Sequence, residues 1–343
     1  MKAIKFFAIT AMAAAMITSC STDDELSQSN YPSDNIIRVT AGVNNAKTRA
    51  DGAGTELKNN FSLTIVNKNT EKPELAKKYT YTDKVFSKSS GDWACSETLL
   101  WQDDKTPVDI VAFAPAQTGK FNGVYANGSI QPITYSVADD QSTSSDNNDL
   151  LYYYAKDFNP GTSLVNKKLS IQFNHAFCMI DINVTLGTEF NKPEVLENSP
   201  IVKVTLDGTK IAANVDVTNA ASVVTASGEA TPTTITTTKG SFTKAVDAEA
   251  NADPEKNAIS RFSCIAIPQK VEANTFKVSL MTAGKRYEWT SDKEITLQSG
   301  YRYTLNLTMG NDVVLLKGGS GSDNGGITAT PWGPGTGGSL ETE

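Results

Sequence analysis

Leu169-Ser170-Ile171-Gln172-Phe173-Asn174-His175-Ala176-Phe177-Cys178-Met179-Ile180-Asp181-Ile182-Asn183-Val184-Thr185-Leu186 is the stretch that decides the fold class. Side chains of an extended strand alternate between faces, so Leu169, Ile171, Phe173, His175 and Phe177 share one face. Polar Ser170, Gln172 and Asn174 take the other. The apolar set then changes parity, because Ile180, Ile182, Val184 and Leu186 occupy the alternate positions. One straight strand cannot bury both sets on one core. The reversal near Cys178 to Asp181 therefore predicts a bulge or a passage between sheets.

The same texture extends outward in both directions. Short runs rich in Val, Ile, Thr, Tyr and Phe recur at Ile36–Val43, Phe61–Val66, Val108–Phe113, Ile133–Val137 and Leu150–Tyr154. After the central stretch come Ile201–Leu206, Lys210–Val217, Ile259–Ile267, Phe276–Met281, Lys285–Thr290 and Tyr301–Leu307. Gly, Asn, Asp, Ser and Pro clusters separate these runs, and no convincing helical periodicity lies among them. Many short strands with such punctuation predict an all-β chain built as two tandem β-sandwiches. Asn159-Pro160-Gly161-Thr162 is the expected boundary, dividing residues 35–160 from residues 161–317. The run Gly318 to Gly326 is a flexible linker to a short C-terminal strand and tail within 318–343, and it lacks the lysine and the helix of a phosphate loop.

The N-terminus reads as a targeting segment, residues 1–19. Lys2 and Lys5 precede the apolar stretch Phe6–Ile17, whose length of about a dozen residues falls short of the roughly 20 that span a bilayer. Ile17-Thr18-Ser19-Cys20 follows, and a cysteine at the cleavage point resembles the lipobox of bacterial lipoproteins, in which the thiol is acylated. The alternative is a secretory signal with an incidental cysteine. Attachment at Cys20 by more than one acyl chain would anchor the protein stably. Ser21-Thr22-Asp23-Asp24-Glu25 then begins a polar tether over residues 20–34, and acidic residues here resemble the signal that sends Bacteroidetes lipoproteins to the outer face of the outer membrane. A solvated linker is the plainer reading of the same charges.

The charge balance excludes one class of partner. The formal net charge is −7, and loss of the two leader lysines takes it to −9, with both signs interspersed. Nucleic-acid binding needs a clustered Lys/Arg patch to displace phosphate counterions, and the sequence carries none. Beyond Cys20, the cysteines Cys95, Cys178 and Cys264 are odd in number and lack CxxC spacing, so they read as small hydrophobes.

Enzyme chemistry finds little support. His175 is the sole histidine, and its place on an apolar strand face predicts a hydrogen-bonded core residue rather than a general base or zinc ligand. The acidic run from Asp139 through Asp149 does not match an EF-hand spacing and reads as a solvated loop. No catalytic residue, metal site or cofactor is expected. A carboxylate pair of the glycosidase kind meets only in space and has no positive support in the sequence.

Several segments, in this order, resemble the fimbrillin family of lipoprotein pilins and pilin-like adhesins. They are Leu100-Trp101-Gln102-Asp103, Val108 to Pro115, Asp149-Leu150-Leu151-Tyr152, Leu169 to Phe177, Ile267-Pro268-Gln269, Gly300 to Leu305 and Ile327 to Trp332. The resemblance implies two transthyretin-like sandwich domains and assembly into a type V pilus. An arginine-directed protease would cut the precursor, remove its first strand and leave a groove that a neighbour's strand fills. Thr48-Arg49-Ala50 lies just after Ile36–Val43, which places the cut between Arg49 and Ala50. The removed strand would carry Ile36, Ile37, Val39 and Val43. Arg49 is equally an arginine in a polar loop. Candidate donors are Val313, Val314, Leu315 and Leu316, or the segment from Ile327 to Trp332, and either could instead complete the chain's own second sandwich.

The expectation is thus a surface-exposed outer-membrane lipoprotein, a structural pilin or pilus-associated adhesin that partners copies of itself or related subunits. The alternative is a monomeric surface lipoprotein that binds a glycan or host ligand through sandwich loops. A surface hydrolase is a third reading, which the lone His175 and the lack of a nucleophile motif disfavour.

Overall fold

The computed structural model describes residues 30–44, 57–117, 119–143, 148–191, 194–247, 256–311, 314–316 and 327–332. The first half contributes β1 (Val39–Val43), β2 (Phe61–Asn67), β3 (Tyr81–Ser89), β4 (Asp92–Cys95) and β5 (Val108–Ala114). The hairpin β6 (Tyr125–Ala126) and β7 (Ser129–Ile130) follows, then β8 (Ile133–Ser136), β9 (Leu151–Phe158) and β10 (Leu169–His175). The second half begins with β11 (Cys178–Leu186), β12 (Ile201–Thr209), β13 (Ala212–Val215), β14 (Val224–Ala226), β15 (Thr233–Thr236), β16 (Thr238–Thr243) and β17 (Ile259–Ala266). It ends with β18 (Gln269–Val271), β19 (Lys277–Thr282), β20 (Arg286–Thr290), β21 (Ile295–Leu297), β22 (Tyr301–Met309), β23 (Val314–Leu316) and β24 (Ile327–Pro331). The protein is all-β, as the alternating runs predict. One six-residue helix, Pro73–Lys78, opens on a proline whose fixed φ suits a first helical turn.

The parity change in the central stretch is a passage between sheets. β10 pairs with β1 and β9, whereas β11 lies between β17 and β22 in a separate sheet. Leu169, Ile171 and Phe173 enter one core, but Phe177 belongs to the other, so the shared face expected of all five residues ends before Ala176. The chain crosses there because β11 is buried on both of its faces and needs a new set of neighbours.

Seven strands close into a barrel in the order β1-β10-β9-β5-β2-β3-β4. Closure depends on one β1 to β4 pairing, Val39 opposite Trp93. The barrel interior holds Phe61, Leu63, Ile65, Phe86, Ile110, Ala112, Leu169, Ile171 and Phe173. Opposite it stand the sheet β16-β17-β11-β22-β23, the sheet β15-β12-β19-β20 and the sheet β14-β13-β8, around a second core.

The chain does not divide at Asn159–Thr162. That segment is a turn capped by the Asn159 side chain, which accepts from Gly161 N, and it joins β9 to β10 within the barrel. Conversely β8, well before it, pairs with β13 of the second half. The cores also share a wall. On β5, Ile110, Ala112 and Ala114 face the barrel while Val111 and Phe113 face the second core. Tyr153 and Ala155 of β9 pack on the barrel side, and Tyr152 and Tyr154 on the other. Two buried faces explain why the β5 run is almost unbroken in its apolar character.

One backbone position gives a direct test. Gly208 sits in the β12 register shift between Leu206 and Thr209, with φ +92°, and a Cβ there would lie 2.3 Å from Thr275 O. Gly208→Ala is expected to cost about 1–3 kcal/mol of unfolding free energy through strain and backbone displacement. The urea midpoint measures it, and an unchanged midpoint would refute the assignment.

Candidate assembly interface

The residues expected to take part in strand exchange lie near the two ends of the described chain, in β1 of the barrel and in β23 and β24 beside β22. At the N-terminal end, Ile36 forms a bridge to Leu100, Ile37 N donates to Leu99 O (2.9 Å) and Trp101 N donates to Asn35 O (2.8 Å). Asp34 pairs with Arg38 at 2.6 Å, and the Arg38 hydrogen bond lowers the Asp34 carboxyl to about 2. Strand β1 then runs parallel to β10, Val39 opposite Leu169 through Val43 opposite Phe173. Ile37, Val39 and Val43 are buried in the barrel core. Strand β1 is therefore a core strand held by one ladder along its length and by a single pairing on its other side. Four of the residues expected in a removable strand, Ile36, Ile37, Val39 and Val43, come together in this segment. Cys20, Arg49 and Ala50 lie outside the described residues.

At the C-terminal end both candidate donors pair with their own chain. On β22, Leu307, Thr308 and Met309 face Leu316, Leu315 and Val314 of β23. Tyr301 through Leu305 face Pro331 through Ile327 of β24. The two short strands thus divide one edge of β22 between them. Val314 is buried, and Val313 lies outside the described residues.

Strand β24 ends in a contact that the sequence did not disclose. The buried Trp332 ring stacks on His175, with centroids 3.7 Å apart and planes 8° from parallel. His175 Nδ1 lies 2.9 Å from Asp149 Oδ2, and its side chain is 9% exposed. His175 Nε2 is buried without a hydrogen-bond partner. Trp332 N donates to Gly300 O at 2.6 Å, and Gly300 N donates to Phe177 O at 2.9 Å. The expected hydrogen-bonded core histidine is found, but its long-range partner is aromatic.

Other candidate chemistry is satisfied internally. Cys178 and Cys264 are fully buried; burial, then the charge of Asp181, pushes the Cys264 thiol up to about 12, and burial also raises Cys178. Asp140 caps Ser142, as a loop carboxylate does. Among the described residues no group of three His, Cys, Asp or Glu could hold a metal, and no helix is long and apolar enough to cross a membrane. A shallow hollow of about 300 Å³ is lined by Lys210, Val224, Thr225, Pro268, Gln269 and Lys270. Its lysines are already engaged, Lys210 with Ser227 O and Lys270 with Glu294. Trp101 and Trp332 are buried, and Trp93 and Trp289 are half-buried against the cores.

Residues 48–332 match the sequence pattern described as fimbrillin-like. The chain belongs to the fimbrillin-like family. Its match to the family begins one residue before Arg49 and ends at Trp332, the residue stacked on His175. Among curated proteins none matches the fimbrillin-like chain in sequence. Solved structures share its fold. A protein from Bacteroides ovatus described as a cell adhesion protein superposes with a TM-score of 0.59 at 16% identity, covering 87% of this chain and 97% of its own. One from Bacteroides uniformis, described likewise, gives 0.54 at 14% identity, with 88% and 99% covered. A fimbrial protein from Bacteroides vulgatus gives 0.52 at 14% identity, with 87% and 99% covered.

Proposed function

We propose that this chain is a pilus subunit or pilus-associated adhesin, exported to the cell surface as a lipoprotein on Cys20 and polymerised by strand exchange after cleavage at Arg49. The observation that carries this reading is the bonding of β1. It fills a core with Val39 and Val43, yet only the β10 ladder and one pairing to β4 hold it. Its loss would bare the apolar faces of Leu169, Ile171 and Phe173 and leave β10 with an unpaired edge. An exposed edge beside an apolar groove strongly favours addition of a complementary strand.

Strand β24 suits that groove. Val39-Thr40-Ala41-Gly42-Val43 and Ile327-Thr328-Ala329-Thr330-Pro331 share a β-branched, Thr, Ala pattern with an apolar fifth residue. Leu169 N donates to Arg38 O and Asn44 N to Phe173 O, so even-numbered residues of β1 turn their amides and carbonyls toward β10. Aligned on Val43, Pro331 falls where no amide is needed by β10. Insertion of one subunit's strand into the next is heterologous and builds an open filament.

Intact mass and N-terminal sequencing of the protein recovered from the cell surface test the proposal. A start at Ala50 without lipid supports cleavage-driven assembly. An acylated start at Cys20 would make the subunit an anchor or a monomeric surface binder instead.

A further inference from the structure

Strand β10 touches both exchangeable ends of the chain. Residues Leu169 to Phe173 pair with β1, whereas the ladder to β9 covers Asn174 with Tyr152 and His175 with Leu151, continued by Ala176 N donating to Leu150 O at 2.8 Å. His175, the residue that ends the strand, carries the stack on Trp332 and the contact to Asp149. Two residues further, Phe177 O accepts from Gly300 N, and Gly300 O accepts from Trp332 N.

We propose that β10 couples the two ends, with His175 as the positioning residue: β1 in place holds His175 against Trp332, and Trp332 holds the C-terminal strand on its own subunit. The proposal takes β1 as the separable strand of the reading above, although its test requires no cleavage.

The physical argument runs along the strand. Without β1, Leu169 to Phe173 have no backbone partner, and an unpaired edge of that length frays. Fraying reaches Asn174 and His175, whose hold on β9 is a two-residue ladder followed by the single Ala176 N to Leu150 O bond. Ring stacking at 3.7 Å tolerates little displacement, because dispersion falls steeply with separation. Strand β24 pairs along only five residues at a sheet edge, so an anchor at its end weighs heavily in whether it stays. An uncut subunit would then retain its C-terminal strand, and opening of the groove would free that strand in the same event. The order of operations would be built into one strand, so that subunits do not donate before they can accept.

Hydrogen exchange of the full chain, followed by mass spectrometry at residues 169–175 and 328–332, tests this in a double-mutant cycle. Val39→Asp displaces β1, and exchange at both segments should rise on the order of ten-fold. His175→Ala should raise exchange at 328–332 alone by a similar factor, and His175→Phe, which keeps a flat ring under Trp332, should restore protection. Val39→Asp added to His175→Ala should change 328–332 no further, the non-additivity expected of residues acting in series. Protection of 328–332 that survives Val39→Asp while 169–173 exchanges would overturn the coupling, as would multiplicative effects in the double variant. Where Val39→Asp also unprotects β2 and β5, Thr40→Pro takes its place, since it removes one amide facing β10, and the same outcomes decide. A surface protein that starts at Cys20 would refute the processing reading and leave this result standing.

Discussion

Phe61→Ala is expected to lower the unfolding free energy of the barrel by about 3–5 kcal/mol, a large share of the roughly 5–15 kcal/mol that holds an ordinary domain together. Phe61 is 0% exposed on β2, stacked on Phe86 at 5.3 Å and set edge-on to Trp93 at 5.0 Å and Phe173 at 5.5 Å. It thus joins β2 to β3, β4 and β10, and it fills the space beside the weakest seam of the barrel, where Val39 meets Trp93. Three aromatic rings fixed on separate strands cannot collapse into the void, so the cavity contribution stays near its upper range. Urea titration followed by tryptophan fluorescence measures the loss, with Trp93 in direct contact as the reporter. Val165→Ala is the control, because Val165 is 57% exposed and its truncation should stay within about 0.5 kcal/mol. A loss below about 1.5 kcal/mol at Phe61 would mean that the barrel core relaxes around the gap.

Arg49→Ala is expected to abolish polymer formation at the cell surface while leaving export intact. Under the processing proposal no other change is needed: β1 stays in the barrel, its groove remains filled, and no neighbour's strand can enter. The recovered protein should begin at lipidated Cys20, and the ladder of species resistant to mild denaturation should disappear. Arg38→Ala is the matched control. Arg38 is an arginine as well, but it is paired with Asp34 immediately before β1, and cleavage there would sever the strand from its lead rather than release it. A ladder that persists in Arg49→Ala, or one that vanishes in Arg38→Ala, would move the processing point away from residue 49.

Many strands of both cores were legible because burial is written in alternation. The strands read at Phe61–Val66, Val108–Phe113 and Tyr301–Leu307 return as β2, β5 and β22 with boundaries moved by two residues or fewer. Strands β3 and β16 carry no such alternation. Tyr81-Thr82-Asp83-Lys84-Val85-Phe86 and Thr238-Lys239-Gly240-Ser241-Phe242-Thr243 are largely polar, since Phe86 alone among them is buried. Strands that lend backbone hydrogen bonds more than apolar surface leave little periodic signal. Among site residues, the β1 set and both candidate donors were visible as apolar runs near the ends. The Trp332 to His175 contact was not, because 157 positions separate two residues that only the β10 to β11 crossing and the β24 register bring together.

The sequence by itself determined that the chain is all-β, that its central stretch changes face near Cys178 to Asp181, and that its only histidine sits on an apolar strand face. Alternation, composition and residue count suffice for these, since each is a local property of the chain. Only the tertiary structure decided where the halves part. Strand β8 left the first half for β13, β10 returned to the barrel after an apparent boundary, and β5 and β9 became a wall with a core on each face. Sheet order depends on pairing between backbones, and backbone hydrogen bonds carry no residue identity. A sequence can therefore declare its strands and still leave open which edges they join.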